Sequence, residues 1–281
     1  MSRTVVEELR ECLSRCPATE RRVAHQLLAD YPMAGLQSAT DLARTVGVST
    51  PTVLRLVSRL GFGAYADFQR RLRDELAAQL SSPLAKEPGA VGADTADPDD
   101  RLGEFSQALL NNLAETFVHL SRPELSEVAA ALADRRLRIH LVGGRFTDAL
   151  ARYLAVQLRI LRPGVNHLQD QEANWLDQLL DMNERDVLLV FDIRRYQPSL
   201  LKLSRLAAHQ KVRVILLTDQ WLSPIAQVAR HVLSARVAVP SIWDSTVALM
   251  GLAEYLLAEV SRSSREFSRQ RISDLERLRE G

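Results

Sequence analysis

The hydrophobic period of this chain changes across one polar stretch, and the change dictates two unlike domains. Between 81 and 100 the run SSPLAKEPGAVGADTADPDD holds three prolines, two glycines and five acidic residues. That composition interrupts regular structure and predicts an exposed linker. Before it, Leu9 and Leu13, then Val23, Leu27 and Leu28, then Leu42, Val46, Val53, Leu56, Val57 and Leu60 recur at helical spacing. After it, helical stretches at 102–120 and 123–133 lead into short β-type runs: RIHLV (138–142), VNHL (165–168), DVLLVFD (186–192), VRVILLT (212–218) and HVLSA (231–235). Helical segments, among them 148–161 and 198–209, separate the runs. Apolar runs this short, alternating with helices, require a parallel sheet covered on both faces. The expectation is an all-α domain over 1–80, a linker over 81–100, and a doubly wound α/β domain over 101–281. At 281 residues the chain is also longer than one compact core usually serves.

Composition narrows the setting. A hydrophobic fraction of 46% beside 25% charged residues suits a soluble globular chain, and no run approaches the roughly 18 uncharged apolar residues of a membrane span. The opening MSRTVVEELRECLSRC carries Glu7, Glu8 and Glu11 and has no apolar core, unlike a secretory signal, so a cytoplasmic protein is expected. Cys12 and Cys16 lie four apart with no neighbouring His or Cys to complete a metal site; reduced structural thiols and no metal are expected. The net charge of +1 hides local bias: residues 1–86 hold twelve Arg or Lys against nine Asp or Glu. That excess permits nucleic-acid binding without requiring it.

The segment LQSATDLARTVGVSTPTVLRLVSRL, 36–60, carries the case for DNA. Two short helices crossing steeply need a small residue at the contact, a glycine able to take positive φ in the turn, and branched apolar residues on the second helix. Ala43, Gly47, Val48, Val53 and Leu56 supply these. Ser49 then reads as the N-cap of the second helix, Pro51 sits in its first turn, and Gly61 can end it. The face left outside holds Ser49, Thr50, Thr52, Arg55, Ser58 and Arg59, hydroxyls and guanidiniums suited to phosphates and base edges in a major groove. A plain helical hairpin with solvated arginines fits the same pattern.

Residues 1–80 resemble the N-terminal helix-turn-helix domain of RpiR-type (MurR/RpiR) regulators. The resemblance rests on Thr19, Glu20, Arg21, Val23 and Ala24 before the motif, on VSTPTVLRLVSRLGF, and on YADFQRRLRDEL after it. Residues 125–262 resemble their SIS (sugar isomerase) domain, with Leu217-Thr218-Asp219 and Ser223-Pro224-Ile225-Ala226 as further matching pieces. The resemblance implies a transcription regulator that binds a double-stranded operator as a homodimer or homotetramer. It also implies a SIS-like αβα domain that senses a sugar-derived metabolite.

In a doubly wound sheet the ligand site belongs at the carboxyl ends of the strands, where helix N-termini offer N–H groups to an anion. The first such loop holds Gly143, Gly144, Arg145 and Thr147; the loop after the third run holds Asp192, Arg194, Arg195 and Tyr196; Thr218 ends the fourth. The glycine pair fits close approach to a ligand or a tight structural turn. The arginines fit a bidentate clamp on carboxylate or phosphate, or salt bridges at a dimer surface. The family's usual serine after the first glycines, and its Ser-x-Ser-Gly-x-Thr type loop after the third strand, are replaced here by Arg145-Phe146-Thr147 and FDIRRYQ. A small acidic metabolite is therefore expected as readily as a sugar phosphate.

An isomerase-like enzyme with a helical head is the alternative. Glu172, His167, Asp170 and His209 are its candidate bases, and no spacing singles out a pair. No nucleophile triad, phosphate loop or metal cluster is legible, and no cofactor is expected. A head that recruits protein instead of DNA is a third reading. The apolar run 242–260, with Trp243, Met250 and Leu256, suits core packing or a dimer contact.

Overall fold

The computed structural model describes residues 4–13, 15–80, 98–169 and 172–280. The chain divides into two compact units, 1–85 and 86–281. Most of the expected linker, 81–97, lies outside the described residues.

The first unit is all helical: α1 (Val5–Leu13), α2 (Ala18–Ala29), α3 (Met33–Leu36), α4 (Ala39–Val46), α5 (Thr50–Arg59) and α6 (Tyr65–Leu80). Their apolar stripes meet in one core, where Leu9, Val23, Leu27, Leu42, Val53 and Leu56 are buried and Leu13, Leu28, Val46 and Leu60 pack at its margin. The expected periodicity is thus the packed face. One expectation is corrected: Cys12 and Cys16 are joined in a disulfide, not reduced. Their Cα atoms stand 5.8 Å apart across the end of α1, within the reach of such a bond.

The second unit begins with α7 (Pro98–His119) and α8 (Arg122–Ala133). The first turn of α7 takes in the last three residues of the expected linker. Proline at the start of a helix loses no hydrogen bond, and the acidic Asp100 suits the positive helix end, so a sequence that looks like a breaker opens a helix. Next come β1 (Arg138–Gly143), α9 (Asp148–Leu161), β2 (Val165–His167), α10 (Glu172–Leu179) and β3 (Asp186–Asp192). Then follow α11 (Pro198–His209), β4 (Arg213–Asp219), a 3-10 turn (Pro224–Gln227), β5 (His231–Ala235), α12 (Val247–Ser263) and α13 (Arg265–Glu280).

The five strands form one parallel sheet in the order β2-β1-β3-β4-β5. Every residue of β3 is buried, as a central strand covered on both faces requires. The chain moves outward from β1 to β2, then crosses back to β3 and β4. With right-handed crossovers this reversal sends α9 to one face and α10 and α11 to the other. The reversal opens a crevice between the carboxyl ends of β1 and β3. On the α9 face, α12 packs against α7, α8 and α9, burying Leu249, Leu252, Leu256 and Val260. Core packing is thus the main work of the 242–260 run. The polar helix α13 has no counterpart in the sequence expectation. Arg271 anchors it by donating to the carbonyls of Arg159 and Ile160 at the end of α9.

Among the described residues, no helix is long and apolar enough to cross a membrane, and no group of three His, Cys, Asp or Glu is placed to hold a metal.

Candidate functional site

Two places carry unusual chemistry, one in each unit. In the first, α4 starts at Ser38, whose hydroxyl accepts from the Asp41 amide at 3.1 Å. It ends at Gly47, which takes φ +70 and donates to the Ala43 and Arg44 carbonyls. Only glycine adopts that conformation at no steric cost, so the turn into α5 is written into the sequence. Ser49 occupies the N-cap position of α5 with Pro51 in the first turn, but its hydroxyl makes no cap bond. It meets the Thr52 hydroxyl at 2.9 Å instead.

Thr52 is buried, and its oxygen also accepts from Arg55 Nη2 at 3.0 Å. It positions its neighbours and faces no groove, which departs from the expected outer face. Ser49, Arg55, Ser58 and Arg59 are exposed and Thr50 is half-buried. Behind them lies a feature that the outward face alone does not reveal. Glu20 of α2, only 3% exposed, accepts from Arg59 Nε at 2.9 Å and stands 3.7 Å from Arg55 Nε. Its signal in the sequence is a carboxylate within the buried Val23, Ala24, Leu27 stripe. Arg22, on the same helix, donates to the Val46 carbonyl at the end of α4.

In the second unit the crevice between β1 and β3 holds two adjoining cavities. One, of about 520 Å³, is lined by Gly144, Arg145, Asp148, Glu172, Trp175 and Gln197 among others. The other, of about 260 Å³, reaches Phe146, Asp192, Arg194, Arg195 and Tyr196. Gln197 lies between them: its Oε1 accepts from the Arg145 amide at 3.1 Å, and its Nε2 donates to Glu172 and Ser199.

The expected anion cradle of free backbone amides is not formed at α9. Gly144 N donates to the Phe191 carbonyl and the Thr147 hydroxyl, while the Thr147 and Asp148 amides both donate back to the Gly144 carbonyl. Thr147 Oγ1 in turn donates to Phe191 O at 2.7 Å. The Gly144, Thr147 and Asp148 amides are thus engaged within the turn or with β3.

Several other expected ligand groups serve the fold. Arg194 is buried, pairs bidentately with Asp244 and stacks 4.3 Å over the Trp221 ring. Tyr196 donates to Asp219 Oδ1 at 2.8 Å. Thr218 donates to the Asp192 carbonyl at 2.6 Å and accepts from the Ser223 amide. Arg195 takes the left-handed region at φ 69 and remains exposed, as does Arg145. Phe146 and Trp243, both about half exposed (52% and 51%), lie beside them with tilted rings 5.6 Å apart.

Of the candidate bases, Glu172 reaches the crevice and His167 stands 2.7 Å from Asp148 through Nε2. His209 lies in the last turn of α11, away from the helix end that faces the crevice. Asp170 lies outside the described residues.

Burial pushes Asp192 up from 3.8 to about 7 and Asp219 to about 6, against the lowering effect of hydrogen bonds to Ser223 and the Gln197 amide on the first and Tyr196 and two amides on the second. Between about pH 4 and 7 these two carboxyls therefore hold protons in the folded state that they have lost in the unfolded one, and their contribution to stability falls as pH rises through that window. Thermal unfolding followed by tryptophan fluorescence should show a higher midpoint at pH 5 than at pH 7, and Asp192→Asn should flatten the dependence. A midpoint that rises with pH across this range contradicts the assignment.

Comparison with known proteins matches residues 3–79 to the rpiR-family helix-turn-helix domain and residues 131–258 to the SIS domain. An uncharacterized HTH-type transcriptional regulator of Haemophilus influenzae is 22% identical over 223 residues, 76% of this chain and 74% of that protein. Among solved structures, the sugar isomerase domain of an RpiR transcription factor from Sphaerobacter thermophilus aligns with TM-score 0.58 at 24% identity, covering 63% of this chain and 97% of that one. The Vibrio vulnificus NanR protein complexed with ManNAc-6P aligns with TM-score 0.55 at 20% identity, covering 97% of each chain.

Proposed function

With the chain an RpiR-type transcription regulator, an rpiR-family helix-turn-helix domain followed by a SIS domain, we propose that α5 enters the major groove of an operator whose affinity is set by a small anion held in the β1–β3 crevice. The observation that carries the DNA half is the exposed row of Ser49, Arg55, Ser58 and Arg59 on one helix face, backed by a buried carboxylate that bonds Arg59 and stands within ion-pair reach of Arg55. Preset guanidiniums lose less freedom on meeting phosphates and guanine edges. The effector half is supported by the two exposed arginines, Arg145 and Arg195, at the switch point of the sheet. NanR in complex with ManNAc-6P shows a sugar phosphate in a protein of like fold, and the class bound here is an acidic or phosphorylated metabolite.

Self-association places two heads on a near-palindromic site. Leu110, Phe117 and Val118 on α7 leave apolar area exposed that suits such a contact. The setting is the cytoplasm. The reading is non-catalytic, which the rpiR-family helix-turn-helix head ahead of the SIS domain supports.

The test is selection of bound fragments from the source genome with the full chain, then titration of the best site at fixed salt with and without candidate anions. A specific near-palindromic site whose affinity shifts with one anion is expected. Weak, sequence-independent binding that vanishes with salt overturns the reading and favours a protein-recruiting adaptor or an enzyme.

A further inference from the structure

The mouth of the crevice is built differently from its floor. Four side chains from three segments stand in a row across it. The Arg145 guanidinium lies 5.3 Å from the Phe146 ring centre, Phe146 lies 5.6 Å from Trp243 at a tilt of 54°, and Arg195 lies 5.9 Å from Trp243. Both rings are half exposed although large aromatic side chains usually bury their area, and both arginines are open to solvent. Arg195 is held there by a left-handed backbone that a non-glycine residue adopts only at a cost, and such residues gather at ligand sites. The row joins the loop after β1, the loop after β3 and the segment before α12.

The adjoining wall has the opposite sign. Asp148 and Glu172 line the larger cavity beside Arg145. With two carboxylates beside the arginines the site has little net positive charge to offset the larger desolvation cost of a dianion. Several groups that would cradle a phosphate are engaged elsewhere: the Gly144, Thr147 and Asp148 amides and the Thr147 hydroxyl bond within the β1 turn or to Phe191, the Arg145 amide bonds Gln197, and Thr218 is bonded to Asp192 and Ser223. What remains for an anion is mainly two planar guanidinium forks, which match a carboxylate, as they do a phosphate, bidentately. What remains for the rest of the ligand is an aromatic platform, the surface that apolar or ring-bearing molecules occupy.

We propose that the ligand of this crevice is a monocarboxylate with a flat apolar body, its body against Phe146 and Trp243 and its carboxylate on the Arg195 guanidinium at the end of the row. This rests on the anion-effector reading above and names its chemical class. An uncharged sugar leaves the guanidinium charges unmatched, and a hydroxyl-covered sugar ring gains less from the aromatic rings than a flat apolar body does.

The probes are phenylacetate and glucose 6-phosphate, titrated into the full chain by calorimetry at one ionic strength, with phenylacetate expected to bind at least about tenfold more tightly. Arg195→Gln and Trp243→Leu, both at exposed positions, should each weaken phenylacetate by about tenfold or more while leaving the unfolding midpoint in place. Glucose 6-phosphate binding more tightly, sensitive to Arg145→Gln and indifferent to Trp243→Leu, overturns the carboxylate class and leaves the anion-binding crevice standing. Phenylacetate binding indifferent to both exposed substitutions overturns the proposed seat. Binding of neither probe overturns the class and the anion reading together.

Discussion

Gly143→Ala is expected to destabilise the second unit by roughly 3 kcal/mol or more, a fall of about 6 to 12 °C in its unfolding midpoint. A Cβ on Gly143 would meet Asp148 N and Thr147 C at 2.5 Å and Asp148 Cα at 2.6 Å. These are backbone atoms of the loop and first turn of α9, so no side-chain rotation relieves the contact. The turn is also fastened by the Thr147 hydroxyl, which bonds both Phe191 O and Gly144 N, so α9 moves only by breaking bonds that tie it to β1 and β3. Gly103→Ala is the matched control. That glycine is exposed in α7, and an added Cβ meets nothing within 4 Å. It should stabilise by about 0.5 to 1 kcal/mol through helix propensity alone. All three tryptophans, Trp175, Trp221 and Trp243, lie in the second unit, so their fluorescence reports its unfolding. An unchanged midpoint for Gly143→Ala means that the loop is free to shift, and the crevice is then not rigidly formed.

The glycine pair also marks where sequence reasoning succeeds and where it stops. Backbone demands are local: Gly47 at φ +70, Pro51 at the start of α5 and the unbroken apolar run of β3 each have one cheap structural solution, and each element falls where its residues require. The direction of a polar side chain is not local. Thr147, Arg194, Tyr196 and Thr218 stand at strand ends, the right places for ligand groups, but each is engaged with a partner that the sheet brings beside it from another segment. The same chemistry that would hold a ligand holds a loop, and only the partner decides. Trp243 shows the reverse. It sits in an apolar run that reads as core, yet it lies outside α12 and meets Phe146 only because β1 and the segment before α12 end on the same side of the sheet. Phe146 and Gln197 belong to the crevice as fully as the glycines do, and neither residue type announces a site. The disulfide is a similar case, since a spacing of four across a helix end permits a bridge without requiring it.

Arg55→Ala should weaken operator binding by about 1 to 3 kcal/mol, roughly 5- to 150-fold, if its guanidinium reads a base edge. The side chain is open to solvent, and two weak tethers aim it: Thr52 Oγ1 at 3.0 Å and the Glu20 carboxylate at 3.7 Å. Because Glu20 also holds Arg59 at 2.9 Å, this one buried carboxylate sets both cations and offsets part of their charge. Glu20→Gln therefore separates two roles. Removing the charge while keeping the shape raises the effective positive charge of the face, so affinity for random DNA should rise and the slope of log affinity against log salt should steepen by about 1. Loosening the arginines should at the same time lower the ratio of operator to random affinity. Arg55→Ala acts in the other direction on charge. If Arg55 reads a base, its removal costs the operator far more than random DNA; if it holds a phosphate, its removal weakens both alike and flattens the salt slope by about 1. Titrating operator and random duplex with each variant over a salt series measures all of these. If Arg55→Ala leaves both affinities unchanged at fixed salt, α5 does not enter the groove, and any effect of Glu20→Gln then reports only on the packing of α2 against α5.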